Sequence, residues 1–203
     1  MVDDKLLLAA CRVARYVHSK NYSAVVISGG SNKLSRSLLA IGWKKLFGDL
    51  KMPKIFIFPR KVNHLMYKPN NARSIYLDWI REWIAVFLPE LNNFKSEQIC
   101  IVDDYAMTGL KCNEILAMFA ALGFEKVDFA LFACSRRSEL PKQVFVAEKN
   151  NTLTRHLCEL SLLIQGEPSF NELISGERFS ESQRKKIAKQ VLSELRNNNN
   201  ASA

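Results

Sequence analysis

Two adjacent carboxylates, Asp103 and Asp104, directly follow the apolar run Ile99, Cys100, Ile101, Val102, and three residues separate them from Thr108-Gly109. Paired acids at such a place accept hydrogen bonds from sugar hydroxyls or hold a hydrated divalent cation. A Thr-Gly turn that opens a helix presents free backbone N–H groups, which favour a phosphate. Acids for hydroxyls or a metal beside a nest for a phosphate describe a site for a phosphorylated sugar. A second stretch runs from Ala24, Val25, Val26 and Ile27 into Ser28-Gly29-Gly30-Ser31-Asn32, a small polar loop.

These groups need elements to position them. Residues 99–102 are short, apolar, rich in β-branched side chains and bounded by polar turns, so they read as a buried strand. Acids at its carboxyl end sit where open α/β sheets bind ligands. Periodicity predicts helices over residues 4–20, about 34–47, 75–88, 110–122 (with Gly123 as its stop), 153–164 and 181–196, the last opened by a Ser180/Gln183 capping box. Strands are expected at 24–27, 55–58, 99–102 and 127–133, with 144–147 as an edge strand. Residues 59–74, with Pro59, Pro69, Asn70 and Asn71, show no period and read as a long loop of the kind that often serves as a lid. Tyr76, Trp79, Ile80, Trp83, Ile84 and Phe87 share one helical face, which suits core, a dimer interface or a wall for a flat base. The alternation of helices and strands implies a mostly parallel sheet flanked by helices. The expected organisation is an α/β domain over residues 1–150, a helical C-terminal appendage over 151–196, and a disordered tail over 197–203.

The totals fit a globular chain. It has 203 residues, of which 48% are hydrophobic, enough for a real core. Its five cysteines are scattered and never spaced as Cys-x-x-Cys, which speaks for reduced thiols and against a zinc site or a disulfide framework. No apolar run reaches membrane-span length and the start does not read as a secretory signal, so the expectation is a cytoplasmic protein with no membrane partner. The net charge of +9 is uneven: residues 5–77 hold fourteen Lys or Arg against the single acid Asp49. Such a surface steers polyanions, whether nucleic acid or a polyphosphate metabolite.

Taken together, the strand ending in Asp103-Asp104, the Thr108-Gly109 loop and the earlier strand ending in Gly29-Gly30 resemble the type I phosphoribosyltransferase family over roughly residues 20–135. The resemblance implies a type I phosphoribosyltransferase-like fold, a substrate in 5-phosphoribosyl 1-pyrophosphate, and Mg2+. On that resemblance Asp103 and Asp104 would accept from the ribose hydroxyls, directly or through the metal. Ala106, Met107, Thr108, Gly109, Leu110 and Lys111 would hold the 5-phosphate at a helix N-terminus. Ser28, Gly29, Gly30 and Ser31 would form the pyrophosphate loop, where glycine allows close backbone approach. Cations near the leaving pyrophosphate would stabilise its growing charge. The candidates are Arg60 and Lys61, placed with the catalytic groups, together with Lys33, Arg36, Lys68 and Arg73. His64 in the same loop is either a proton donor or an ordinary exposed histidine.

The pattern also departs from the family. Leu110-Lys111 stands where the family commonly has a small residue and then Thr or Ser, so Lys111 either grips the phosphate or points to solvent. Met107 stands where purine-salvage members place an acid, and the segment Cys134-Ser135-Arg136-Arg137 names no particular base. Two functions follow. One is transfer of ribose 5-phosphate to a nitrogenous base or amine with release of pyrophosphate, by a single chain or by a homodimer. The other is a non-catalytic protein of the same fold that binds a sugar phosphate, a nucleotide or RNA. A magnesium phosphohydrolase built on Asp103 and Asp104 is a further reading, though the chain lacks an Asp-x-Asp-x-Thr motif.

Overall fold

The computed structural model describes residues 2–28, 32–58, 81, 84–85, 88–166 and 179–200. Helix α1 (Val2–Ser19) buries Leu6, Ala9, Ala10, Val13, Ala14 and Val17 along one stripe at helical spacing. Strand β1 (Ala24–Ile27) is buried throughout, as a parallel strand covered on both faces must be. Then come α2 (Asn32–Phe47), β2 (Lys54–Ile57), a 3-10 turn (Pro89–Phe94), β3 (Gln98–Ala106), α3 (Leu110–Ala121), β4 (Lys126–Cys134), β5 (Val144–Lys149), α4 (Asn151–Gln165) and α5 (Glu181–Asn200). All strand pairings are parallel, in the order β2-β1-β3-β4-β5.

Side chains alternate along each strand and so fill two cores. Val25, Ile27, Cys100, Val102, Ala130 and Phe132 face α1, α2 and α4, which supplies Leu153, Leu157 and Leu160. Ala24, Val26, Ile99, Ile101, Phe129 and Leu131 face α3, with its Cys112, Ile115 and Phe119. The result is a three-layer α/β fold with a parallel sheet flanked by helices. Gly42 lets α2 lie close on α1, because a Cβ there would overlap the Ala10 carbonyl.

Most expected elements are found within two residues of their expected ends. Gly123, with φ of 86°, ends α3 as expected, and its N–H bonds the Ala120 carbonyl. The Ser180/Gln183 box closes in both directions, Ser180 N–H to Gln183 Oε1 at 2.7 Å and Gln183 N–H to Ser180 Oγ at 3.3 Å. The edge strand expected at 144–147 is β5, and α5 runs on through the asparagine run to Asn200. Of the aromatic stripe at 75–88, Ile84 is buried in the second core, and the stripe's aromatic members lie outside the described residues.

One element differs in a way that matters. The strand expected to stop at Val102 continues through both acids to Ala106, because β4 is equally long and pairs Tyr105 with Ala133 and Ala106 with Cys134. The acids therefore lie inside a strand and not in the loop that follows it. Where Asp104 sits, the ladder to β4 skips a pair. The alternation slips there too, since Tyr105 packs on the first core and Ala106 in the second.

Candidate functional site

The chain passes from β1 to the sheet edge at β2 and returns across to β3, so the carboxyl ends of β1 and β3 flank the point where the order reverses. Ligand crevices of open α/β sheets form there. Both acids are 1% exposed. Asp103 Oδ1 accepts from the Asp104 N–H at 2.8 Å, and Asp104 Oδ1 from the Tyr105 N–H at 3.0 Å. The carboxylates thus satisfy backbone donors where the ladder slips. Both Oδ2 atoms are buried without a hydrogen-bond partner among the described residues, but Asp103 Oδ2 forms an ion pair with Lys111 Nζ at 2.6 Å.

Asp103 pairs with Lys111, the second residue of α3. Asp104 lies close enough to feel both the Asp103 carboxyl and the Lys111 ammonium, and it also acts on Cys158 of α4. Burial raises the Asp104 carboxyl well above the usual carboxylate range, and the neighbouring Asp103 raises it further. Burial alone would lower Lys111, but Asp103 and Asp104 outweigh it and hold the ammonium above its ordinary value. Burial, a hydrogen bond to Cys158 and the charge of Asp104 together raise the Tyr105 hydroxyl.

More unmatched buried oxygens lie at the same end of the sheet. Ser28 Oγ, just past β1, and Asn32 Oδ1 and Ser35 Oγ, in the first turn of α2, have no hydrogen-bond partner among the described residues. The Ser28 N–H is used, donating to the Val102 carbonyl at 2.8 Å, and Asn32 Nδ2 donates to the Phe58 carbonyl at 2.6 Å. Native folds leave few buried polar atoms unpaired, so a cluster of them at one strand end calls for an explanation such as a ligand.

The loop into α3 is tied down from one side. Ser138 Oγ donates to the Met107 carbonyl at 2.8 Å and the Ser135 N–H to the Ala106 carbonyl at 3.0 Å. Gly109 is the N-cap, with φ of 88°, and a Cβ there would overlap the Glu139 carbonyl. Having no side chain, Gly109 cannot cap α3, whose first turn also lacks an acid. The Leu110 N–H reaches only Thr108 Oγ1, at 3.4 Å. Met107, Thr108 and Leu110 are exposed, while Ala106 and Gly109 are buried.

A cavity of about 580 Å³ opens beside this loop, lined by Met107, Ser135, Arg137, Thr154, Arg155 and Cys158 among others. The α4 residues were not singled out from sequence. Their local pattern is that of an ordinary amphipathic helix, and only the return of α4 over the sheet brings them near residue 107.

Of the other residues singled out from sequence, Lys33 and Arg36 are exposed on α2. Gly29, Gly30, Ser31, Arg60, Lys61, His64, Lys68 and Arg73 lie outside the described residues. Among the described residues, no group of three or more His, Cys, Asp or Glu side chains could hold a metal ion. No described helix is long and apolar enough to cross a membrane.

No family model matches this chain, and no curated protein matches it. Among solved structures, the hypoxanthine-guanine phosphoribosyltransferase from Schistosoma mansoni, in complex with IMP, is similar to it, with 16% identity and a TM-score of 0.42. The match covers 74% of this chain and 66% of that one, just under two thirds of the other's length.

Proposed function

We propose that this chain binds 5-phosphoribosyl 1-pyrophosphate at the carboxyl ends of β1 and β3 and transfers ribose 5-phosphate to a nitrogenous base or amine. The observation that carries this reading is the cluster of unmatched buried oxygens, Ser28 Oγ, Asn32 Oδ1, Ser35 Oγ and Asp104 Oδ2, at the carboxyl ends of β1 and β3, with the uncapped start of α3 following β3. The hydroxyls can donate to phosphate and pyrophosphate oxygens, while Asn32 Oδ1 and the Asp104 carboxylate oxygen, which only accept, suit ribose hydroxyls. The 5-phosphate would lie at Thr108-Gly109-Leu110, with Lys111 beside it. The acceptor would occupy the cavity between Met107 and α4. Its nitrogen would bond to C1 as the bond from C1 to the pyrophosphate oxygen breaks, the electron pair leaving with pyrophosphate and the acceptor's proton passing to solvent.

Magnesium fits this site poorly as a protein-held ion. Three of the four carboxylate oxygens of Asp103 and Asp104 already have partners, one of them an ammonium. Mg2+ seeks about six oxygens at roughly 2.0–2.1 Å and avoids a neighbouring cation. The Lys111–Asp103 pair is also what favours the second reading, a protein that holds a sugar phosphate without turning it over.

Calorimetric titration with 5-phosphoribosyl 1-pyrophosphate, on the wild type and on Asp103→Asn/Asp104→Asn, tests the site, and absence of binding by the wild type would sink both readings. Pyrophosphate release assayed over purines, pyrimidines and ammonia then separates the catalyst from the binder. Salt-sensitive RNA binding that survives the double substitution would place the function on the basic surface instead.

A further inference from the structure

We infer that the Lys111 ammonium stands in for a divalent cation at Asp103 and Asp104, so that the site takes a sugar phosphate with no metal held by the protein. The inference rests on the sugar-phosphate reading above and specifies how that site is charged.

The geometry supports it in three ways. Lys111 Nζ sits 2.6 Å from Asp103 Oδ2, on the oxygen a metal would have to share. The Oδ1 atoms each accept from a backbone N–H, and of the two Oδ2 atoms, neither of which has a hydrogen-bond partner, only that of Asp104 also lacks an ion pair among the described residues. The Lys111 side chain is 24% exposed against 1% for that of Asp103, so an incoming ligand meets the lysine before the acid. An ammonium carries three N–H donors, and Lys111 has no other ion-pair partner among the described residues. Its remaining donors are left for an anionic oxygen at the start of α3.

The position in sequence makes the substitution natural. Lys111 is the second residue of α3, and its ammonium reaches the Asp103 carboxylate at the end of the preceding strand. A side chain rooted there has only to lie back along the loop to reach the carboxylate. Asp103 then acts as a positioning residue that fixes Lys111, while the unmatched oxygen of Asp104 remains for a ligand hydroxyl. A merely structural ion pair would have the same distance, so the test reads metal and ligand binding as well as stability.

Mn2+ serves as the metal probe and ribose 5-phosphate as the ligand probe, the latter because it lacks the pyrophosphate that carries metal in solution. Electron paramagnetic resonance of the whole chain with Mn2+ is expected to show the free-ion signal undiminished for the wild type. Lys111→Ser is expected to gain Mn2+ binding by about tenfold or more. By calorimetry, wild-type affinity for ribose 5-phosphate should agree within about threefold between Mg2+ and EDTA, while Lys111→Ser should lose about tenfold in EDTA and regain part of it with Mg2+. Mn2+ bound by the wild type and released by Asp103→Asn would overturn the inference. So would wild-type ribose 5-phosphate binding that vanishes in EDTA, or a folded Lys111→Ser that ignores Mn2+ and binds as before. If Lys111→Ser does not melt cooperatively, Lys111→Met replaces it, and the wild-type arms decide regardless. Failure of ribose 5-phosphate to bind under either condition counts against the sugar-phosphate reading itself, while the Mn2+ measurement still tests who occupies the acids.

Discussion

Neutralising the two neighbouring acids should move stability in opposite directions. Asp103 is paired, with Lys111 at 2.6 Å and the Asp104 N–H at 2.8 Å. Removing one partner of a buried pair costs about 3–5 kcal/mol. Lys111 is partly exposed and keeps Asp104 nearby, so Asp103→Asn should cost somewhat less, about 2–3 kcal/mol. Asp104 is equally buried, but one of its oxygens has no partner. Asparagine keeps the acceptor for the Tyr105 N–H and removes a charge whose burial is unmatched, so Asp104→Asn should gain about 1–2 kcal/mol. For a chain of this size that is a rise in melting temperature of about 2–8 °C. Asp104 also fixes the pH dependence. Its carboxyl is raised from 3.8 by burial first and Asp103 second. A group raised on folding contributes stability that is complete below its unfolded pKa and is lost as pH rises through the folded one. The advantage of Asp104→Asn should therefore be absent below about pH 4 and open as pH rises. Urea unfolding of both variants and the wild type at pH 3.5 and pH 7, with unchanged m, is the assay. A loss above about 1 kcal/mol for Asp104→Asn at pH 7, or a pH-independent difference, would refute the charge-burial argument.

Other substitutions test the frame around the site. Gly109→Ala must place a β-carbon at φ of 88° against the Glu139 carbonyl, so it should cost about 2 kcal/mol or more by thermal unfolding. Asn150 Oδ1 caps α4 by accepting from the Leu153 N–H at 3.1 Å, and Asn150→Ala should cost about 1 kcal/mol, read as a lower urea midpoint. Burial, with help from Asp103, pushes the Cys112 thiol from 9.0 up to about 12. Its stabilising share is complete below about pH 9 and disappears as pH climbs through about 12. Lys111 is raised as well and adds to the same slope, so the readout is the difference in alkaline stability loss between the wild type and Cys112→Ala, which should be shallower for the variant.

How much of this was legible beforehand follows from what each feature depends on. The strands at 24–27 and 127–133 and the helix from Leu110 announce themselves by composition and period, because burial on a sheet face is a local demand. The capping box at Ser180 and Gln183 is legible for the same reason, since its two bonds close within four residues. The length of β3 was not. Acids discourage a strand assignment, and only pairing with β4, about thirty residues later, carries the ladder past them. The cavity wall from α4 was out of reach for a similar reason, as Thr154, Arg155 and Cys158 belong to the site only through tertiary packing.

The acid pair shows most clearly where reading from sequence and reading from structure part. In sequence Asp103 and Asp104 are one motif, two equivalent carboxylates for one ligand. In the structure the two carboxyls stay neighbours, yet their partners differ, and so do their electrostatic situations. Asp103 meets Lys111, the second residue of α3, and becomes half of an ion pair. Asp104 meets Tyr105, Cys158 and the cavity side, and keeps an unmatched oxygen. A residue at position 111 with a short hydroxyl would leave both acids to the ligand or to a metal, whereas lysine assigns one of them in advance. The identity of that single residue thus decides what the other two can do, and it acts through a distance that neither the strand motif nor the helix period reveals.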